Sequence, residues 1–126
     1  MGYTRYWDRT KEPITQEFID EVKKIFNECK AKGITICNWD GRGEPTLTLE
    51  EIAFNGLAPY LDHESFVIRS EPDVVWDFCK TAGKPYDYAV KEVLKVAKKM
   101  GIVSGVSSDG DIPECNDKEY LNEWRY

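Results

Sequence analysis

Three short segments of this 126-residue chain gather side chains that bind ligands. The first is Phe78-Cys79-Lys80-Thr81-Ala82-Gly83-Lys84-Pro85-Tyr86-Asp87. It sets two lysines, a threonine hydroxyl and a glycine where an expected strand runs into a long helix. Free backbone N–H groups and the positive end of a helix dipole attract anions at such a junction. The glycines of a G-x-x-x-x-G-K-[ST] phosphate loop are missing, and a solvated connection explains the same residues. The second segment is Trp39-Asp40-Gly41-Arg42-Gly43-Glu44-Pro45. Its glycines let backbone approach a ligand, Arg42 can grip phosphate or carboxylate bidentately, and Trp39 offers a stacking face. Asp40 and Glu44 can accept hydrogen bonds from sugar hydroxyls. A tight turn with Trp39 in the core is the competing reading. The third is His63-Glu64, with the single histidine of the chain. Any histidine-dependent acid–base step must pass through it, and an ordinary surface histidine is the alternative.

Other segments narrow the chemistry. Tyr3, Arg5, Tyr6, Trp7 and Arg9 alternate aromatic and cationic side chains, a combination that stacks bases and holds phosphate. An aromatic strand packed on the core fits them equally. Ser107-Ser108-Asp109-Gly110-Asp111 lacks the spacing of a calcium loop and reads as an Asp-Gly turn. No G-x-S-x-G marks a serine nucleophile. Cys29, Cys37, Cys79 and Cys115 are scattered, with no C-x-x-C and one histidine to help. That spacing suits neither zinc nor another metal, so no metal and no cofactor are expected.

The elements that must position these segments are readable from period. Phe18, Ile19, Val22, Ile25, Phe26 and Cys29 form a helical stripe that starts near Thr15 and stops at Gly33. A second long helix runs from about Pro85 to Met100, with Ala89, Val90, Val93, Leu94, Val96 and Ala97 inward. Strands are expected at Tyr3–Trp7, Ile34–Cys37, Leu47–Phe54, Glu64–Arg69, Val74–Cys79 and Ile102–Val106. In the Val74 strand, Val74, Trp76 and Phe78 share a face, and a helix fits that segment nearly as well. Asn116 and Glu119 make a capping box for a short last helix through Tyr120, Leu121 and Trp124. The expectation is one α+β domain over residues 1–126: a mainly antiparallel sheet with two long amphipathic helices on one face.

Composition bounds the rest. With 17 Lys+Arg against 23 Asp+Glu the net charge is −6, against sequence-independent nucleic-acid binding. No stretch approaches the ~20 apolar residues of a membrane span, so no membrane association is expected. The opening Met-Gly-Tyr-Thr-Arg-Tyr-Trp lacks the pattern of a signal peptide, which points to a cytoplasmic protein with reduced thiols.

Six blocks stand in one order: Gly2-Tyr3-Thr4-Arg5-Tyr6-Trp7; Trp39-Asp40-Gly41 with Glu44-Pro45; Phe54-Asn55-Gly56; His63-Glu64-Ser65-Phe66; Phe78-Cys79-Lys80-Thr81 with Lys84-Pro85-Tyr86-Asp87; and Val106-Ser107-Ser108-Asp109-Gly110. This succession, from residue 2 to about 111, resembles a family of small uncharacterised proteins of tailed phages and prophages. The family often has His where this chain has Arg5, and a basic residue where it has Gly83. The resemblance implies a small accessory protein acting in the cytoplasm of an infected bacterial cell. Phages carry several families of this size that sequester cyclic or ADP-ribose-type nucleotide signals of host immunity. By that analogy the expected function is a non-catalytic nucleotide sponge that counters host defence. Its pocket would draw on Trp7, Trp39, Asp40, Arg42, Asn55, Arg69, Lys80, Thr81, Lys84 and Tyr86. Lys80 and Lys84 would hold phosphate, Trp39 or Trp7 would stack the base, and Asp40 or Asn55 would read ribose or base edges. The rivals are a nucleotide-cleaving enzyme using His63 and Glu64, and an acidic inhibitor of a host protein. A homo-oligomer joined at strand edges is a further expectation.

Overall fold

Local signals set the helix ends. The computed structural model describes residues 2–123. Its elements are β1 (Thr4–Arg9), α1 (Gln16–Ala31), β2 (Ile36–Cys37), β3 (Thr46–Leu47), β4 (Glu51–Gly56), β5 (Phe66–Arg69), β6 (Trp76–Lys80), α2 (Asp87–Lys99), β7 (Val103–Ser108) and α3 (Asp117–Glu123). The Thr15 hydroxyl accepts the Phe18 N–H at 3.1 Å and starts α1. Gly33, at φ +81°, ends it: the Ile34 N–H returns to the Cys29 carbonyl at 2.8 Å and the Gly33 N–H to that of Lys30 at 3.1 Å. Asn116 and Glu119 bond reciprocally, at 3.0 and 2.8 Å, so the expected capping box opens α3. Of the residues expected in that helix, Trp124 lies outside those described.

The fold is α+β, with every strand pairing antiparallel. In place of one sheet there are two. The first has the order β6-β1-β7, so the opening strand is central. In the second, β4 pairs with β2 through Asn55 and Gly56, and with β3 and β5 through residues 51–54. The segment with the ambiguous period is a strand, β6, registered so that Tyr6 faces Phe78 and Trp7 faces Asp77.

Buried residues of α1 (Phe18, Val22, Ile25, Cys29) and of α2 (Ala89, Val90, Val93, Leu94) join Trp7, Phe54 and Phe66 in one core. The rings of Trp7 and Phe66 meet at 5.0 Å, as do those of Phe54 and Phe66, so the two sheets share this core. Alternation on β1 sends Arg5, Trp7 and Arg9 inward and leaves Tyr6 and Asp8 half-exposed. Among the described residues no helix is long and apolar enough to cross a membrane.

Candidate functional site

One buried amide stitches two of the marked segments together. Asn55, at the end of β4 and 2% exposed, donates through Nδ2 to the carbonyls of Trp39 (3.1 Å) and His63 (2.9 Å). Its Oδ1 accepts the N–H groups of Gly56 (2.8 Å) and His63 (3.0 Å). A fully bonded amide of this kind fixes the loops it bridges. The first segment, residues 78–87, joins through Lys80. The His63 ring lies 2.6 Å from the Lys80 carbonyl, through Nδ1, and the Glu64 carboxylate accepts the Lys80 N–H at 3.0 Å. The Tyr86 hydroxyl donates to the Glu64 carbonyl at 2.5 Å, and Lys84 Nζ donates to the Tyr60 carbonyl. Loops 38–44, 55–64 and 80–87 are therefore neighbours, linked through the middle one.

The start of α2 holds its own anion. Asp87, 4% exposed, accepts Arg5 Nε at 2.9 Å, Arg5 Nη2 at 2.8 Å and the Thr81 hydroxyl at 2.7 Å. Burial acts to lower the Arg5 pKa, and the hydrogen bonds and charge of Asp87 reverse this and leave it raised. A carboxylate of the chain itself thus stands in the first turn of α2, bonded to side chains rather than to the N–H groups of the helix.

Several predicted contacts belong to the framework instead. Trp7 is 1% exposed and packs in the core, so it stacks no ligand. Thr81 (0%) is bound to Asp87, Tyr86 (1%) to Glu64, and Asn55 to the loops, each with its polar group engaged. Burial pushes the Tyr86 hydroxyl well above its usual range, which keeps it a neutral donor. Arg69 is exposed and pairs with Glu51 at 3.2 Å. It lies on β5 of the second sheet, against the Arg9 end of β1: its carbonyl meets Arg9, whereas Lys80 is registered with Thr4 at the other end. Trp39, 61% exposed, is not core, and Arg42 is exposed beside it. Asp40 closes its own turn by accepting the Arg42 N–H at 3.2 Å. Lys84 is half-buried, its Nζ 5.3 Å from the Tyr120 ring. His63 and Glu64 are both exposed but grip different atoms of Lys80, and no contact joins the imidazole to the carboxylate among the described hydrogen bonds.

The structure adds an aromatic strip that the sequence left out of the site. On the outward face of the first sheet the Tyr6 and Trp76 rings stack at 6.2 Å and 22°, and Trp76 meets Phe78 at 5.3 Å. Trp76 is 54% exposed, and Lys80 Nζ sits 5.6 Å from the centre of the Phe78 ring. Tyr6 is held by its hydroxyl, which donates to Asp109 at 2.9 Å. The hints in the sequence were Tyr6 among the opening aromatic and cationic residues and the shared face of Trp76 and Phe78, and period two does not say whether either face points in or out. No protein-family model, no curated protein and no solved structure matches the chain.

Proposed function

We propose that this protein binds a small nucleotide without transforming it, with the base laid on the Tyr6–Trp76–Phe78 strip and the phosphate toward Lys80. The observation that carries this reading is Trp76, more than half exposed between two ring neighbours, with an ammonium group at the end of the row. Base–aromatic stacking contributes ~1–3 kcal/mol per base and tolerates any base. A net charge of −6 favours a small ligand over a long polyanion. The separate anchoring of His63 and Glu64 on Lys80 supports binding over catalysis. The order of motifs, which resembles that of phage and prophage proteins, makes sequestration of a host immune nucleotide the role we assign to the binding.

Titration with cyclic dinucleotides and ADP-ribose-type nucleotides, read by tryptophan fluorescence and calorimetry, tests this. We expect a saturable, time-independent signal, which Trp76→Ala weakens by about 5–150-fold, the equivalent of ~1–3 kcal/mol. Lys80→Ala weakens it too. Absence of binding across the panel, or equal affinity in Trp76→Ala, refutes the reading, and product that accumulates with time turns it into an enzyme. The exposure of Trp39 (61%) and Tyr60 (72%) favours a protein partner as second reading. In that case Trp39→Ala and Tyr60→Ala lose a host protein in pull-downs while Trp76→Ala keeps it.

A further inference from the structure

The first sheet ends in two unlike edges, β6 and β7. In an antiparallel pair, residues bonded to the neighbouring strand alternate with residues whose N–H and C=O point away from it. The Arg9 N–H donates to the Val75 carbonyl at 2.6 Å and the Thr81 N–H to the Tyr3 carbonyl at 3.0 Å, so the odd-numbered residues of β6 face β1. Trp76, Phe78 and Lys80 therefore turn their backbone groups to the open side. Lys80 is closed there: its N–H goes to the Glu64 carboxylate, and its carbonyl takes the Glu64 N–H at 3.2 Å and meets the His63 ring. The Phe78 N–H is taken by the Asp77 carboxylate at 2.8 Å. Among the described hydrogen bonds, the Trp76 N–H, the Trp76 carbonyl and the Phe78 carbonyl have no partner. Beside them Val74, Val75 and Trp76 are exposed, Val75 at 77%. The β7 edge is different. Its register shifts between Tyr6 and Asp8, Gly105 stands there at φ +55°, and Ser104, Ser107 and Ser108 are exposed. Bulges and polar side chains protect an edge, whereas a regular apolar edge is a template for another strand.

We propose that a second copy of this chain pairs with the open edge, β6 against β6, antiparallel about a two-fold axis at Trp76. One donor and one acceptor on each copy then satisfy each other, because each Trp76 N–H donates to the Trp76 carbonyl of the other copy. The two indoles lie across from each other on the outward face, and Val74 and Val75 run beside Phe78 and Asp77 of the second copy. Charge and bonding set this register. An axis at Asp77 would pair Trp76 with Phe78, whose N–H is already taken, and would set two carboxylates opposite each other. The shortness of the open stretch favours a copy over a foreign strand. A longer peptide laid along β6 would meet closed groups at Phe78 and Lys80, whereas the two-fold contact uses only what is free. Pairing also adds Trp76 of the second copy to the aromatic strip, so that two chains share one stacking surface. The strand contact itself does not depend on what the strip binds.

Sedimentation velocity of the whole chain, from low micromolar to millimolar concentration and without nucleotide, tests this. We expect a reversible monomer–dimer equilibrium. Trp76→Lys and Trp76→Glu each set like charges across the axis and should weaken the dimer at least about tenfold. An equimolar mixture of the two variants should restore it as a heterodimer, since Lys then faces Glu, and a melting curve of each variant alone shows that it folds. In the unaltered protein, hydrogen exchange at the Trp76 amide should slow as chain concentration rises. The Ser108 amide, which also turns away from β1, should not change. A chain that stays monomeric at millimolar concentration overturns the proposal. So does a dimer that both variants leave intact, or a mixture of folded variants that fails to restore it. If the variants do not fold, Trp76 exchange that is the same at every concentration overturns it.

Discussion

Replacing Asp87 by Ala should remove a large part of the stability of this fold. Asp87 accepts three hydrogen bonds, two from Arg5 and one from Thr81, and the side chains of the ion pair are 11% and 5% exposed. Truncation leaves a guanidinium in a nearly dry site with no anion, a situation that costs ~3–5 kcal/mol. Domains of this kind have only ~5–15 kcal/mol in total, so the variant should approach the edge of folding at room temperature. Equilibrium urea unfolding at neutral pH reads the effect as a shift of midpoint at constant slope. The double variant Arg5→Met/Asp87→Leu separates charge from packing. With the charges gone together it should recover most of the loss, because a buried pair is often no more stable than apolar residues of similar volume. An Asp87→Ala protein that loses less than ~1 kcal/mol would refute the argument, showing water or relaxation already screening Arg5. A double variant as unstable as Asp87→Ala would show that shape, not charge, governs the site.

Two further expectations follow from close contacts and thiol burial. A Cβ on Gly56 would lie 1.9 Å from the Leu61 carbonyl oxygen and 3.1 Å from the Tyr86 ring, so Gly56→Ala should cost at least the ~1–3 kcal/mol of overpacking. At Gly43 a Cβ meets nothing within 4 Å, and Gly43→Ala should cost only the ~1–2 kcal/mol of its positive φ, both measured by thermal melting. Cys29, Cys37 and Cys79 are buried and Cys115 is half-buried. Burial, with smaller help from Glu28 and Glu92, pushes the Cys29 thiol up to about 12. Ellman's reagent on the native protein at pH 8 should therefore modify Cys115 first and leave Cys29 intact until denaturant is added; early loss of Cys29 would contradict the burial.

Much of the skeleton was legible because its signals are local. The Thr15 cap, the Gly33 stop and the Asn116–Glu119 box each act within a few residues, and each does what its sequence implies. The site was less legible because the deciding contacts are distant. Arg5 meets Asp87 across 82 positions, and nothing near either residue announces the other. On β1 the two alternating sets each hold an aromatic ring, Trp7 with Arg5 and Arg9 against Tyr6 with Asp8. Period two cannot choose between them, and the buried set is the more cationic one. The same ambiguity puts Trp7, expected to touch a base, in the core, while Trp76 on the neighbouring strand is exposed. Asn55 looked like a reader of ligand edges, since its type suits that task, and its four bonds go to the chain instead.

The central place of β1 in the first sheet also orders events in time. The second sheet is assembled from residues 36–69, so its pairings close short loops. The first cannot close until residues 76–80 and 103–108 have been made, because both neighbours of β1 come from there. During synthesis β1 waits without either neighbour until residues 76–80 have left the ribosome. Long-range closures of this sort are the slow ones, and a waiting strand with exposed aromatics is where misassembly begins. A chain shortened by its first nine residues would lose a partner for β6 and β7 at once, and with it the floor that holds Trp76 in the open.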